Sequence, residues 1–314
     1  MNFINLITSK SFLWFLAIGA LAGILIFFVF KNYVPNLMFL GSKSTLTLKI
    51  EHSLDNKEQV FIEGKLYPDL PIENFKLSAG EKKITISSDS NVYETTIPFI
   101  AKTHVVLARE IGVSEIFSSG HELWVEKNTG NSTLSVISEP VGAAVVIDGT
   151  EVGKTPYVST KLTPGEYKLV ISHPGYEDKE VRIRLQNNHK LNFSARLFPK
   201  PVPERVAPFE GSEDLYDLST SNNLVSSSPS AWVSAIVHWN KTRGINVLGT
   251  GLNKELVFDF FIDYLGNIYD SEGKQLLPEN ASNLDSLKKG GYLGRASDTQ
   301  GLTDEAKEAY AALS

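Results

Sequence analysis

An internal duplication constrains this chain more than any other feature. Shifted by 85 positions, residues 61–87 overlay residues 146–172 without a gap, and ten of the 27 positions are identical. The pairs include Ile62/Ile147, Gly64/Gly149, Pro71/Pro156, Leu77/Leu162, Gly80/Gly165, Glu81/Glu166 and Ile86/Ile171. Average residue usage would give roughly two. Upstream, Ser44-Thr45-Leu46 answers Ser132-Thr133-Leu134 at a shift of 88, so the first copy carries three extra loop residues. The chain therefore holds two copies of one small unit.

The second copy reads as all-β. Tyr167, Leu169 and Ile171 alternate with Lys168 and Val170, as Val181, Ile183 and Leu185 do with Arg182 and Arg184. Such period-two runs are half-buried strands. Leu191, Phe193, Ala195 and Leu197 supply a closing strand. Asp148-Gly149 suits a tight hairpin, and Thr163-Pro164-Gly165 suits a type II turn with positive φ at the glycine. His173-Pro174-Gly175 repeats the device. Turn signals every eight to twelve residues between short alternating runs predict a β-sandwich.

These residues resemble a family. Ser138 to Gly149 (SEPVGAAVVIDG), Val152 to Pro156 (VGKTP), Leu162 to Tyr167 (LTPGEY) and Pro174-Gly175-Tyr176 look like a PEGA domain, over residues 132–198. Pro140, Gly142 and Ala143 match the Pro-Glu-Gly-Ala signature, with Val141 in place of the glutamate. Asp148, Gly149, Gly153, Pro156, Pro164, Gly165, Gly175 and Tyr176 complete the matching positions as structural residues. Residues 44–107 look like a divergent copy without the Pro-x-Gly-Ala stretch, and 108–131 join the two. Trp124 in that joint is expected to be a strand residue packed between modules. The resemblance implies small non-catalytic β-sandwiches displayed outside the cytoplasm in prokaryotic envelope proteins, and no particular ligand.

Upstream lies a membrane anchor. Residues 12–30 run without a charged or strongly polar side chain between Lys10 and Lys31. At 1.5 Å per residue they reach about 28 Å, close to the hydrocarbon thickness. The rival is a cleaved signal peptide, whose apolar core is shorter and ends in a small-x-small site. Here Ala17 to Gly23 sit in mid-span with seven apolar residues still to follow. The expected partition is a short tail (1–11) and a transmembrane helix (12–31) in the bilayer. Flanking positive charges balance, so orientation comes from the resemblance: N-terminus cytoplasmic, bulk of the chain extracytoplasmic, single-pass in the cell membrane. Gly19 and Gly23 form a G-x-x-x-G pair that would let two helices dimerise, although small residues are common in spans without pairing.

Several familiar patterns fail. Gly149 to Thr155 is one residue short of a phosphate loop and leads to Pro156. Gly249-Thr250-Gly251 lacks the third glycine of a dinucleotide fingerprint, and His121-Glu122 has Val125 where a zincin needs histidine. There is no cysteine, which excludes disulfides and thiolate chemistry. Asp259, Asp263, Asp270 and Glu272 lack calcium-loop spacing and read as a solvated face, with a weak cation site as the alternative. Arg182 and Arg184 read as a charged outer face, or as a binding patch. No catalytic residue, metal ligand or cofactor is expected.

Beyond the repeats, Pro199, Pro201, Pro203 and Pro208 suggest a stiff spacer, and the polar stretch to 229 extends it as a linker. Residues 230–314 read as a small α+β domain of no recognised family. Ser228 is expected to cap a helix that Pro229 opens, with Trp232, Ile236 and Trp239 on one face. The same stretch also alternates as a strand through Val233, Ala235, Val237 and Trp239. Leu256 to Tyr264 and Ile268-Tyr269 read as strands about the Leu265-Gly266-Asn267 turn. Thr303 starts a terminal helix with Asp304 and Glu305 at its positive end. Residues 201–314 hold 16 acids and 9 bases, whereas residues 1–200 hold 20 and 21, and a net-acidic outer region disfavours nucleic acid or an anionic membrane surface as its partner. The expectation is a mainly β, membrane-anchored envelope protein that is not an enzyme. Its tandem modules would bind an envelope polymer or protein, or act as a scaffold. The alternative is an accessory subunit or enzyme whose activity lies in 230–314.

Overall fold

The computed structural model describes residues 43–53, 57–89, 91–210, 212, 214–247, 253–254, 256–277, 289–296 and 301–313. The expected anchor at 12–31, with Gly19 and Gly23, lies outside them. No helix among the described residues is long and apolar enough to cross a membrane.

Each copy folds into seven strands in the same order. The first comprises β1 (Lys43–Ile50), β2 (Gln59–Ile62), β3 (Lys65–Tyr67), β4 (Ile72–Ser78), β5 (Gly80–Ser87), β6 (Val92–Phe99) and β7 (His104–Glu110). After β8 (Ser119–Lys127) the series repeats as β9 (Thr133–Glu139), β10 (Ala144–Ile147), β11 (Thr150–Lys154), β12 (Tyr157–Ser159), β13 (Gly165–Ser172), β14 (Lys179–Leu185) and β15 (His189–Arg196). Four strands of each copy form a separate sheet, ordered β3-β2-β5-β6 and β11-β10-β13-β14. The other three join a common seven-stranded sheet, ordered β12-β9-β15-β8-β7-β1-β4.

That order is a palindrome about β8. β7 and β15 both run antiparallel to β8, and β1 and β9 run parallel to β7 and β15. Two units with the same strand direction but mirrored order keep the same crossover hand only if their second sheets lie on opposite faces. The side chains of β8 show that they do. Leu123 and Val125 pack into the second module's core, around Val145, Ile171 and Phe193, while Trp124 packs into the first module's core, around Leu48, Ile84 and Leu107. Because successive strand residues point to opposite faces, one strand serves two cores.

Local chemistry repeats with the fold. Asp148 and Gly149 turn the β10–β11 hairpin at φ 48° and 82°, and Glu63 and Gly64 turn β2–β3 at 52° and 75°. Positive φ at both central positions is the type I′ geometry whose twist suits a hairpin. In each copy the acid also fixes the neighbouring strand: Asp148 accepts from the Lys168 amide at 2.8 Å, Glu63 from the Lys83 amide at 2.6 Å. Gly175 takes the positive φ expected of its turn, at 81°. Gly165 does not. It opens β13 in pairing with Leu185, so no type II turn is centred there.

The third region comprises β16 (Ala207–Pro208), β17 (Leu215–Asp217), α1 (Asn223–Ser226), α2 (Pro229–Arg243), β18 (Ile245–Asn246), β19 (Asn253–Lys254), β20 (Phe260–Asp263), β21 (Ile268–Asp270), β22 (Gly290–Leu293) and α3 (Asp304–Ala311). Its main sheet runs β16-β17-β22-β20-β21. Pro229 stands at the start of α2, which buries Trp232, Ile236 and Trp239, but the Ser228 side chain makes no capping hydrogen bond there. Thr303 Oγ1 caps α3 by accepting from the Ala306 amide. The strand expected over 256–264 is confined to Phe260–Asp263.

Nor does the proline stretch stand free. Val202 and Val206 enter one core with Trp232, Ile236 and Trp239, and Trp232 Nε1 donates to the Pro201 carbonyl at 2.6 Å. Phe117 from the β7–β8 loop and Phe198 after β15 join the same core. The third region is thereby seated on the end of the seven-stranded sheet where β7 and β15 finish. The opposite end, where Lys43 begins β1, is left to the two modules.

Candidate functional site

The Pro-x-Gly-Ala stretch is held by one threonine. The Thr155 hydroxyl accepts from the Gly142 and Ala143 amides, each at 3.1 Å, and its carbonyl accepts from the Gly142 amide at 2.9 Å. Ser138 Oγ lies 2.6 Å from the same hydroxyl and donates to the Pro140 carbonyl at 2.6 Å. Ala143 is fully buried, and Gly142 takes φ 86° so that the loop can turn beside it. Cis bonds precede Pro140 and Pro156, and Pro71 in the first copy shares that geometry with Pro156. Gly153 lies under the Tyr157 ring, where a Cβ would approach within 3.1 Å. Tyr167 closes the Pro164 turn by donating to the Thr163 carbonyl at 2.8 Å.

The Pro140 loop and residues 153–156 lie at the end of the sheet that bears the third region, and the Asp148-Gly149 and Pro164 turns lie at the other end. Glu177 N donates to the Phe198 carbonyl and Lys200 N to the Gly175 carbonyl, which sets the His173–Asp178 turn against the chain leaving β15. Between this turn and the Pro140 loop opens a cleft of about 970 Å³. Gly142, Lys154, His173, Glu177, Asp178 and Lys200 lie on its walls, and Tyr176 meets the His173 ring edge-on at 5.2 Å. Opposed cations and carboxylates on an open wall suit a polar ligand that offers both acceptors and donors.

Directly beside the cleft lies a buried ionic cluster that sequence reasoning did not find. The Glu110 side chain is 1% exposed. Arg243 from α2 approaches it with two guanidinium nitrogens, Nη2 to Oε2 at 2.7 Å and Nη1 to Oε1 at 3.1 Å. His238 Nε2 lies 3.1 Å from Oε1, Ser119 Oγ donates to Oε2 at 3.1 Å, and His52 Nδ1 lies 3.3 Å from Oε2. Arg243 Nε donates to Glu177 at 2.9 Å, and the guanidinium lies over the Phe198 and Trp239 rings. One arginine thus joins a carboxylate of the first module, a carboxylate on the second module's cleft and the first long helix of the third region. Burial alone would raise the Glu110 carboxyl. The hydrogen bonds from His238 and Arg243 and the charge of Arg243 outweigh it and hold the group down at about 2.

The other expected residues separate. Asp263 is fully buried, not solvated. It accepts from the Leu265 and Asn267 amides, from Asn267 Nδ2 and from the Tyr269 hydroxyl at 2.8 Å, and so builds the β20–β21 turn. Asp270 does the same for the Glu272 and Lys274 amides, and Asp259 accepts from the Lys289 amide. Asp263 and Asp270 are turn organisers, and Asp259 ties the chain before β20 to the chain before β22. His121 stacks on Phe193 at 5.5 Å, and burial pushes it down to about 4. Arg182 and Arg184 are exposed on β14 and do not line the cleft.

Residues 131–201 match the PEGA domain family. No curated protein matches the chain. Among solved structures, one described as "Putative pore-forming toxin from Bacteroides vulgatus ATCC 8482" aligns at 11% identity over 51% of this chain and 92% of that one. Its TM-score of 0.15 carries no argument about fold or function. Signature turns, topology and match agree: residues 131–201 are a PEGA domain, and an unmatched second copy of the same topology shares its central sheet.

Proposed function

We propose that this is a membrane-anchored cell-envelope protein that displays its PEGA-like modules for non-catalytic binding or scaffolding. One observation carries the reading: the second module's Pro140 loop and His173–Asp178 turn face each other across an open, charged cleft at the end of the sheet farthest from Lys43. With residues 12–31 in the bilayer, the near end faces the membrane and the cleft is presented outward. The bonds between Arg243, Glu110 and Glu177 then hold the cleft and the third region as one platform. Cosedimentation of the full chain, in neutral micelles, with washed envelope polymer tests this. Lys154→Glu with Lys200→Glu is expected to cut retention at least ten-fold while leaving thermal stability unchanged. Equal retention by the variant and the parent would remove the cleft from the account.

A further inference from the structure

A second concavity, of about 510 Å³, lies at the opposite end of the sheet, between the edge strand β14 and the exposed faces of β1 and β7. Its floor includes Val106 and Leu123, and its rim carries Lys43, Lys102, Arg182 and Arg184, with no carboxylate in the lining. All four cations are exposed, and among the described residues none takes part in an ion pair. Glu166 stands across the ladder from Arg184 without pairing to it. The acids beside the neighbouring strands are already engaged: Glu180 by Lys168 and Glu51 by Lys179.

We infer that this groove seats anionic phosphate headgroups of the bilayer in which the chain is anchored. The inference rests on the proposed anchor. Only residues 32–42 separate the expected span from Lys43, itself a rim residue. Eleven residues reach about 40 Å at full stretch, so the near end cannot travel far from the lipid surface. Guanidinium forks match phosphate oxygens, and a surface cation falls off in influence within about 8 Å of salt solution. Charge along the chain favours the same orientation. The acidic third region, with 16 acids and 9 bases over 201–314, sits at the far end, and the unpaired cations sit at the near one. A bilayer of negative sign therefore attracts one end of the block and repels the other.

The chain has no cysteine, so Gln186→Cys places a single dye on the groove rim. The full chain is reconstituted in nanodiscs of phosphatidylcholine, alone or with one third phosphatidylglycerol, each containing headgroup-spin-labelled lipid as quencher. Quenching is expected to be strong only in the anionic discs. Each cation near a charged surface is worth about five-fold, so Arg182→Gln with Arg184→Gln should lower the docked-to-free ratio about 25-fold. Equal quenching in both discs, or none lost in the double variant, overturns the inference. So does a dye response to glycerol phosphate in neutral discs with no effect of lipid charge, which would make the ligand a free anion. A high-salt wash that strips the chain from neutral discs refutes the anchor instead. The same dye then reads the groove with added vesicles, where quenching by anionic vesicles alone upholds the headgroup site and its absence overturns it.

Discussion

Arg243→Met should break the junction of the three modules. The substitution keeps an apolar stem against Phe198 and Trp239 but removes both guanidinium bonds to a carboxylate that is 1% exposed. Two routes give the cost. Glu110 is held at about 2 against an ordinary 4.5 by His238 and Arg243 together, which at 1.36 kcal/mol per unit is about 3 kcal/mol of stability at neutral pH and the upper limit of the Arg243 share. Removing one partner of a buried ion pair costs about 3–5 kcal/mol in general. The pH dependence has a definite sign. A depressed carboxyl stabilises the fold fully above about 4.5, and that stabilisation drains away as pH falls towards 2. Urea unfolding of the full chain in neutral micelles, followed by tryptophan fluorescence, should therefore show a deficit of about 3 kcal/mol at pH 6. The gap between parent and variant should shrink by more than half at pH 3. Equal stability at pH 6, or a deficit that stays constant down to pH 3, would refute the assignment of Glu110 and Arg243 as a structural pair.

Other substitutions have equally definite expectations. Glu122 is pushed up to about 7 by burial. Its ionisation therefore costs stability increasingly as pH rises from 4.5 to 7, and Glu122→Gln should gain on the order of 1–2 kcal/mol at pH 8 and nothing at pH 4, read as melting temperatures. Gly120 has φ 138°, and a Cβ there would come 2.2 Å from the Ala108 carbonyl oxygen; Gly120→Ala should cost about 3 kcal/mol in urea unfolding. Thr155→Val removes the hydroxyl that accepts from the Gly142 and Ala143 amides. A loss of about 1–3 kcal/mol is expected, with faster hydrogen exchange confined to the Pro140 loop.

How much of this could be read in the sequence depended on whether the controlling contact was local. Asp148-Gly149 and Glu63-Gly64 turn their hairpins through their own φ angles, so the duplication and its turns were legible. β8 was harder. Leu123, Trp124 and Val125 form a continuous apolar run because both faces of the strand are covered, and the alternation that identifies a half-buried strand is absent. Its role as the shared centre of two sandwiches follows only from the pairing. The proline stretch looked like a spacer because composition records stiffness, whereas the burial of Val202 and Val206 is decided by α2. Asp263 was legible as part of a turn but not as a buried acceptor of four hydrogen bonds. Glu110 and Arg243 stand 133 residues apart, and no local pattern couples them. The same distance limits dissection of the chain. A cut after Leu197 would leave Glu110 buried without Arg243 and expose Phe117, so the modules and the third region are better separated by substitution than by truncation.

The central claim is that a bilayer span holds this block outside the cytoplasm. A reporter active only outside the cytoplasm and one active only inside it, each fused after Lys43 and after Leu313 in otherwise matched chains, test it most directly. The account predicts activity of the outside reporter at both positions and silence of the inside reporter. Activity of the inside reporter at both positions would contradict it.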